Sequence, residues 1–222
     1  MTRSYSLNTE AAKQAEGSRI TETGKYVGQI IVAEAVISTK GTEGVEFSFK
    51  SDSGQSADYM TLWTHTKDGA ELYGFKVLNA MMTCAQLRTI TPKTATLRKR
   101  GDSGPVDVQS TIFDEFTGKP IGLLLQREPY TKNDGGAGSR MVIQTPFCPT
   151  TERTASEILD KKPKGETLAK LVASLRDRPM QKNANAGAPP RNSGAGAGMA
   201  VPGAGFEDDD IPFAPMHWKA ML

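Results

Sequence analysis

The chain has 222 residues, 37% of them hydrophobic and 23% charged, and its formal net charge at pH 7 is +2. This composition provides for one sizeable hydrophobic core, and the longest apolar runs are far shorter than the roughly 20 residues of a membrane-spanning helix. With only two histidines and two cysteines, few metal ligands exist, and we expect no metal, no cofactor and no membrane partner. The N-terminal residues contain no apolar signal core, which predicts an intracellular protein with free thiols at Cys84 and Cys148.

Residues 1–23 are interpreted as an N-terminal arm, and residues 24–150 as the main domain, because strand-like segments alternate there with turn residues. The exception is 75–87, where Phe75, Leu78, Met82 and Ala85 have helical spacing. In chain order, the predicted strands are 24–39, 45–51, 57–66, two short strands within 94–111, 121–130 and 140–147.

Three strands, a helix, a hairpin and two further strands follow the layout of an OB-fold. That fold is a five-stranded Greek-key barrel, here with a helix between barrel strands 3 and 4. We therefore expect a mainly β protein built on an OB-fold-like barrel. An immunoglobulin-like sandwich is the alternative, although such a sandwich does not normally contain a long apolar helix in mid-domain.

The third predicted strand has two distinct faces. Met60 and Leu62 lie on one face, and Tyr59 and Trp63 lie on the other, because side chains alternate along a strand. If the first pair faces the core, the two aromatic rings are flat outer surfaces on which bases can stack irrespective of sequence. The alternative is that Trp63 is a core residue.

The C-terminal third of the chain changes in composition. Residues 151–178 predict two short helices, and the second has an apolar stripe that either packs on the barrel or mediates self-association: Leu168, Leu171, Val172 and Leu175. Residues 179–206 are a Gly/Ala/Pro-rich linker that cannot bury enough apolar surface to fold. Residues 207–222 form an acidic tip of net charge −3, whereas the preceding chain carries +5.

The segment GDSGP, residues 101–105, is similar to the sequence around the nucleophilic serine of trypsin-like proteases. That chemistry requires a histidine base beside the serine, and only His65 precedes Ser103, in a segment unlike the histidine motif of those enzymes. A phosphate-binding GxxxxGK[ST] motif does not occur either. We therefore predict that the chain is not an enzyme and interpret GDSGP as a hairpin turn.

Cations next to this turn offer a different use for the hairpin. Arg98, Lys99 and Arg100 lie on a projecting loop, where other cations of the domain can extend them into a track for a phosphate backbone. A solvated basic turn is the alternative. The predicted nucleic-acid-binding residues are Lys50, Tyr59, Trp63, Arg98, Lys99, Arg100, Lys119, Arg127, Tyr130, Lys132 and Arg140.

The segment EDDDIPF, residues 207–213, resembles the C-terminal tip of bacterial single-stranded-DNA-binding proteins. The resemblance implies that the acids meet a basic rim on partner proteins while the Pro-Phe end enters an apolar pocket. The implied partner-binding residues are Asp208, Asp209, Asp210, Ile211, Pro212 and Phe213. The tips of that family end at the phenylalanine, whose carboxylate also binds the partner, whereas APMHWKAML follows Phe213 here.

The body resembles a family of small bacteriophage and prophage proteins found beside phage recombination genes. The similar segments are SLNTEAAKQA, ITETGKYVGQI, KGTEGVEFSF, DYMTLWTH and GKPIGLLLQREPY. The resemblance covers roughly residues 4–150 and implies an OB-like core that binds single-stranded DNA (ssDNA) in the bacterial host cytoplasm during replication or recombination.

Together these features predict a sequence-independent ssDNA-binding protein that recruits host or phage replication and recombination proteins through its tip. A protein-interaction adaptor for a phage recombinase is one alternative, with the basic loop aiding solubility alone. RNA binding by the same barrel is another, because stacking and phosphate contacts serve both nucleic acids. Homo-oligomerisation stays open.

Overall fold

A computed structural model describes residues 6–7, 9, 19–101, 104–132 and 135–178 of the chain. These residues form a mainly β protein with one antiparallel sheet of seven strands. The strands are β1 (Gly24–Ile37), β2 (Glu43–Ser51), β3 (Ser56–His65), β4 (Lys93–Gly101), β5 (Gly104–Ile112), β6 (Pro120–Thr131) and β7 (Ala137–Phe147). The helices are α1 (Tyr73–Cys84), α2 (Ala155–Leu159) and α3 (Thr167–Ser174), with a 3-10 turn at Asp114–Phe116. All predicted strands and helices are confirmed, with small shifts at their ends.

The long strand β1 organises the sheet, because its two halves have different neighbours. Its first half pairs with β6 and its second half meets β5 at Glu34, while β2 runs along its other edge. The resulting strand order is β3-β2-β1-β5-β4, with β6 joined to β1 and β7 joined to β6. Gly28 allows this crowding, since a Cβ there would lie 2.1 Å from the carbonyl oxygen of Lys50.

The main core lies between the strands and α1. Alternate residues of β2 and β3 point into it, as predicted for Met60 and Leu62, which are buried. Two phenylalanine rings, Phe47 and Phe116, meet edge to face at its centre, with ring centroids 5.4 Å apart. This geometry is favourable for aromatic quadrupoles and adds to the hydrophobic stabilisation of the core.

The apolar face of α1 differs in part from the predicted one. Leu78 and Ala85 are buried as expected, whereas Phe75 and Met82 are half-buried. The other buried residues of the helix are Val77, Met81 and Cys84, which lie on the row of the helix surface next to the predicted one. Since α1 packs against both β3 and β7, its apolar stripe is wider than a single row and its centre could not be fixed by spacing alone.

A second, smaller apolar cluster joins α3 to the outer side of β6 and β7. Leu168 is buried there with Leu124 and Phe147, and Leu171 and Leu175 pack at its margin. The prediction that the helical stripe packs on the β domain is therefore confirmed. Val172 is the exception, with 39% of its surface exposed.

A buried carboxylate links α2 to the start of α3. Glu157 is 1% exposed and accepts hydrogen bonds from the backbone N–H groups of Thr154 (2.9 Å), Glu166 (2.8 Å) and Thr167 (2.8 Å). Burial raises the pKa of the Glu157 carboxyl, but these hydrogen bonds outweigh it and lower the pKa to about 2. The group is therefore a charged acceptor that satisfies the first turns of both helices.

Both cysteines are free thiols, as predicted. Burial raises the pKa of Cys84 to about 12, so this thiol is unreactive. Within the described part of the chain, no helix is both long and apolar enough to cross a membrane.

Candidate nucleic-acid interface

The sheet has two strand edges that come together at a cleft. Among the strands of the described residues, β3 pairs only with β2 and β7 pairs only with β6. Residues of the predicted N-terminal arm lie along the edge of β3: Arg19 forms a parallel bridge with Ser56, and the N–H of Ile20 donates to the Ser56 carbonyl over 2.8 Å. Ile20 is 3% exposed and belongs to the main core. This segment and the edges of β3 and β7 line a cleft of about 490 Å³.

Tyr59 is presented to this cleft by an irregularity in β3. The pairing of β3 with β2 shifts between Phe47 and Phe49, so that Asp58 and Tyr59 together occupy the place of one residue. Tyr59 has φ of +61°, in the left-handed region that side chains other than glycine rarely adopt. Such a bulge redirects a side chain away from the regular alternation of the strand. The tyrosine is consequently 65% exposed.

Tyr130 lies on β6 and contributes a second aromatic ring to the cleft. Its partner across the ladder is Gly138 on β7. A Cβ at position 138 would lie 2.7 Å from Cζ of the tyrosine, so the ring covers the glycine. One side of the ring is thus supported by backbone, and 42% of the residue is exposed.

Arg140 brings positive charge to the same cleft. It is paired across the ladder with Glu128, and its Nε donates to Glu128 Oε2 over 2.7 Å. The other carboxylate oxygen of Glu128 accepts from Nη1 of Arg178 over 2.9 Å. The cleft therefore combines two aromatic rings with an arginine whose orientation is fixed by a buried acid.

Lys50 and Lys119 lie along a row that crosses the sheet towards this cleft. Lys50 is paired with Ser56, the residue that bridges to Arg19. On its other side Lys50 is paired with Gln29 of β1, and the Lys119 carbonyl accepts from the adjacent Ile30 N–H over 3.3 Å. Lys50 is exposed and Lys119 is half-buried.

Arg127 lies on β6, and Lys132 follows the last residue of that strand. The side chain of Arg127 lies 3.7 Å from the Asp177 carboxylate, with both groups about half exposed. Lys132 is exposed at the end of β6, where its backbone closes a turn with Gly135 and Gly136. Neither residue lines the cleft itself.

The predicted cations on the hairpin of β4 and β5 have different surroundings. Arg98 is exposed and lies opposite Asp107. Lys99 instead donates to Glu34 of β1 over 2.6 Å, so this cation is engaged in an internal ion pair. The side chain of Arg100 lies outside the described part of the structure, as do Asp102 and Ser103 of the GDSGP turn.

Trp63 lies at the other end of β3 from the cleft. It is four residues from Tyr59, which corresponds to about 13 Å along a strand. The indole packs on Gly44, where a Cβ would lie 2.8 Å from its Cε3 atom. Trp63 is half-buried and is not a member of the buried core. The structure therefore separates the two aromatic residues that the strand pattern grouped on one face.

Sequence reasoning did not predict three residues of the candidate interface. Arg19 was assigned to the N-terminal arm, and neither Glu128 nor Arg178 was assigned a role. The cross-strand pairing of β6 and β7 could have suggested Glu128 opposite Arg140, but no local pattern brings Arg19 or Arg178 to these strands. The predicted partner-binding residues, Asp208 to Phe213, lie outside the described residues.

The described residues contain no group of three or more His, Cys, Asp or Glu side chains that could hold a metal ion. No protein-family model matches the chain, and a search of curated proteins finds no match.

Proposed function

We propose that this protein binds single-stranded DNA without sequence preference, coating strands during phage replication or recombination and recruiting partner proteins through its acidic tip. The observation that carries the proposal is the cleft between β3 and β7. Two exposed tyrosines and two arginines line it: Tyr59, Tyr130, Arg19 and Arg140. Aromatic rings beside cations are the combination that ssDNA-binding surfaces use, since every base has a flat face and every nucleotide a phosphate.

The openness of the rings supports stacking over a purely structural role. Tyr59 is 65% exposed in a strained backbone conformation, and strained residues cluster at binding sites. Tyr130 rests on Gly138, which holds the ring in place without covering its outer side. A ring that is already ordered loses little entropy when a base stacks on it.

We also propose that the fold is of the OB type, with the β4–β5 hairpin inserted after the helix. Two observations support this assignment. The first is the order of the elements, and the second is that β1 pairs with both β2 and β6 while β6 pairs with β7. Proteins of the OB-fold class bind oligonucleotides. The phage context and the recruiting tip rest on the two sequence resemblances.

The proposal is tested by titrating the full chain with poly(dT), duplex DNA and poly(U) at two salt concentrations, following intrinsic tryptophan and tyrosine fluorescence. We expect quenching and tight binding with poly(dT), and a log–log salt slope of about −0.7 for each phosphate neutralised. Tighter binding to poly(U) would favour the RNA alternative. No change with any of the three polymers would favour the adaptor.

A further inference from the structure

Glu128 is an unusual residue on β6, because it is acidic and only 6% exposed. It lies two residues before Tyr130, so both side chains are on the same face of β6. Directly across the ladder are Arg140 and Gly138. The acid is thus two rungs away, on the same strand face, from the ring that we propose stacks a base.

Its second oxygen connects this rung to the segment that follows α3. Arg178 donates through Nη1 to Glu128 Oε1 and through Nε to Gln126 Oε1, each over 2.9 Å. The backbone N–H of Arg178 also donates to the Arg127 carbonyl over 2.9 Å. These hydrogen bonds hold residue 178 along β6, at the place where β1 no longer pairs with that strand.

A buried carboxylate that accepts from two guanidinium groups fixes the direction of both. Charge-assisted hydrogen bonds are short and geometrically specific, and burial leaves the acid little water with which to exchange partners. Arg140 is 40% exposed at its side chain and Arg178 is 29% exposed. The arginines therefore reach solvent while the acid that orients them does not.

We propose that Glu128 is a positioning residue for nucleic-acid binding, which sets the guanidinium of Arg140 at the cleft and couples it to the docking of Arg178 on β6. The inference rests on the proposed ssDNA-binding function. It makes the segment after α3 part of the binding module, although that segment does not line the cleft.

The sign of the effect at position 128 separates positioning from simple electrostatics. Removing an acid near a phosphate site strengthens binding if the acid acts only through its charge. Glu128→Gln keeps the shape but turns one acceptor into a donor that faces a guanidinium, and we expect it to weaken poly(dT) binding by roughly tenfold. Asp68→Asn is the control for loss of a negative charge alone, because Asp68 is exposed on the turn that follows β3 and does not line the cleft; it should bind poly(dT) as the wild-type chain does.

Two further measurements identify the route of the effect. Arg178→Ala should weaken binding in the same direction as Glu128→Gln, and Arg178→Lys should recover only part of it, since an ammonium cannot reproduce the two-acceptor geometry. In an Arg140→Met background, Glu128→Gln should cause no additional loss. Melting temperatures of all variants, measured in parallel, show that the folded fraction is being compared.

The inference is overturned if Glu128→Gln binds poly(dT) as tightly as the wild-type chain or more tightly. It is also overturned if its effect is the same with and without Arg140. Failure of the proposed function looks different, because then the wild-type chain itself would not bind poly(dT).

Discussion

Tyr59 combines a left-handed backbone with a largely exposed ring, and each property has a separate consequence. The backbone conformation costs roughly 1–2 kcal/mol for a residue with a Cβ. Because the ring is largely exposed, its burial offsets little of that destabilisation. A residue that is unfavourable for the fold in this way is a candidate for selection by binding.

We therefore expect Tyr59→Gly to separate stability from binding. The free energy of unfolding should stay the same or rise by up to about 1 kcal/mol, because glycine adopts this φ without strain. Binding of ssDNA should become weaker by roughly 1–3 kcal/mol through loss of the stacking ring. Urea denaturation and oligonucleotide titration measure the two quantities.

Tyr59→Ala is the control, since it deletes the ring and retains the strain. Its affinity should match that of Tyr59→Gly, while its stability should not increase. Unchanged affinity in both variants would remove Tyr59 from the interface.

At the scale of single elements, Glu157 predicts how the two C-terminal helices respond to pH. Its folded pKa of about 2 lies below the ordinary value of 4.5. The carboxylate therefore contributes its full stabilisation, of about 3 kcal/mol, above pH 4.5, and this contribution is lost as the pH falls towards 2.

Glu157→Gln should accordingly lower the free energy of unfolding at pH 7 by about 2–3 kcal/mol, because an amide cannot accept at both ends. At pH 3 the difference between wild type and variant should be smaller. Guanidinium chloride denaturation at the two pH values measures it. A difference that stays constant with pH would mean that the charged state of Glu157 does not stabilise the helices.

Two neighbouring cations of the β4–β5 hairpin differ in their surroundings. Arg98 is exposed, whereas Lys99 is ion-paired with Glu34. If the hairpin contacts phosphates, Arg98→Gln should reduce the steepness of the log–log salt dependence by about 0.7. Lys99→Gln is the matched variant and should leave the slope closer to wild type. Identical slopes in all three proteins would place the hairpin outside the interface.

The sequence predicts the strands and helices of this protein better than it predicts the residues that meet at the cleft. Local patterns predicted these elements. Alternation of apolar residues predicted β2 and β3 and the burial of Met60 and Leu62, and helical spacing predicted the apolar stripe by which α3 packs on the β domain. The bulge at Tyr59 interrupts such a pattern through pairing with β2, and no property of residues 57–63 reveals it. The encounters of Lys99 with Glu34 and of Arg178 with Glu128 join positions 65 and 50 residues apart. Local reasoning cannot reach such pairs.

For the whole molecule, the acidic tip predicts a coupling between DNA binding and recruitment. If the linker predicted for residues 179–206 behaves as a coil, with a root-mean-square reach of roughly 30 Å, we expect the tip of charge −3 to compete with phosphates for the cations of the body. Deleting residues 207–222 should leave ssDNA affinity unchanged or slightly higher at low salt, where charges are least screened. It should also abolish retrieval of replication and recombination proteins in a pull-down.

Phe213→Ala is the matched variant for this deletion, since it retains all the acids. We expect it to lose the partner proteins while keeping the wild-type affinity for ssDNA. A truncated chain that still retrieves the same partners, or that binds ssDNA markedly worse, would contradict the assigned role of EDDDIPF.

The central claim is that bases stack on tyrosines in the cleft between β3 and β7. Its most direct test compares Tyr130→Ala with Tyr73→Ala, because Tyr73 is similarly exposed, at 55%, but lies on α1 away from the cleft. Binding of a dT oligonucleotide is measured by anisotropy at fixed salt. We predict that Tyr130→Ala weakens binding by roughly 1–3 kcal/mol while Tyr73→Ala binds as the wild type does. Equal affinities for both variants and the wild type would contradict the claim.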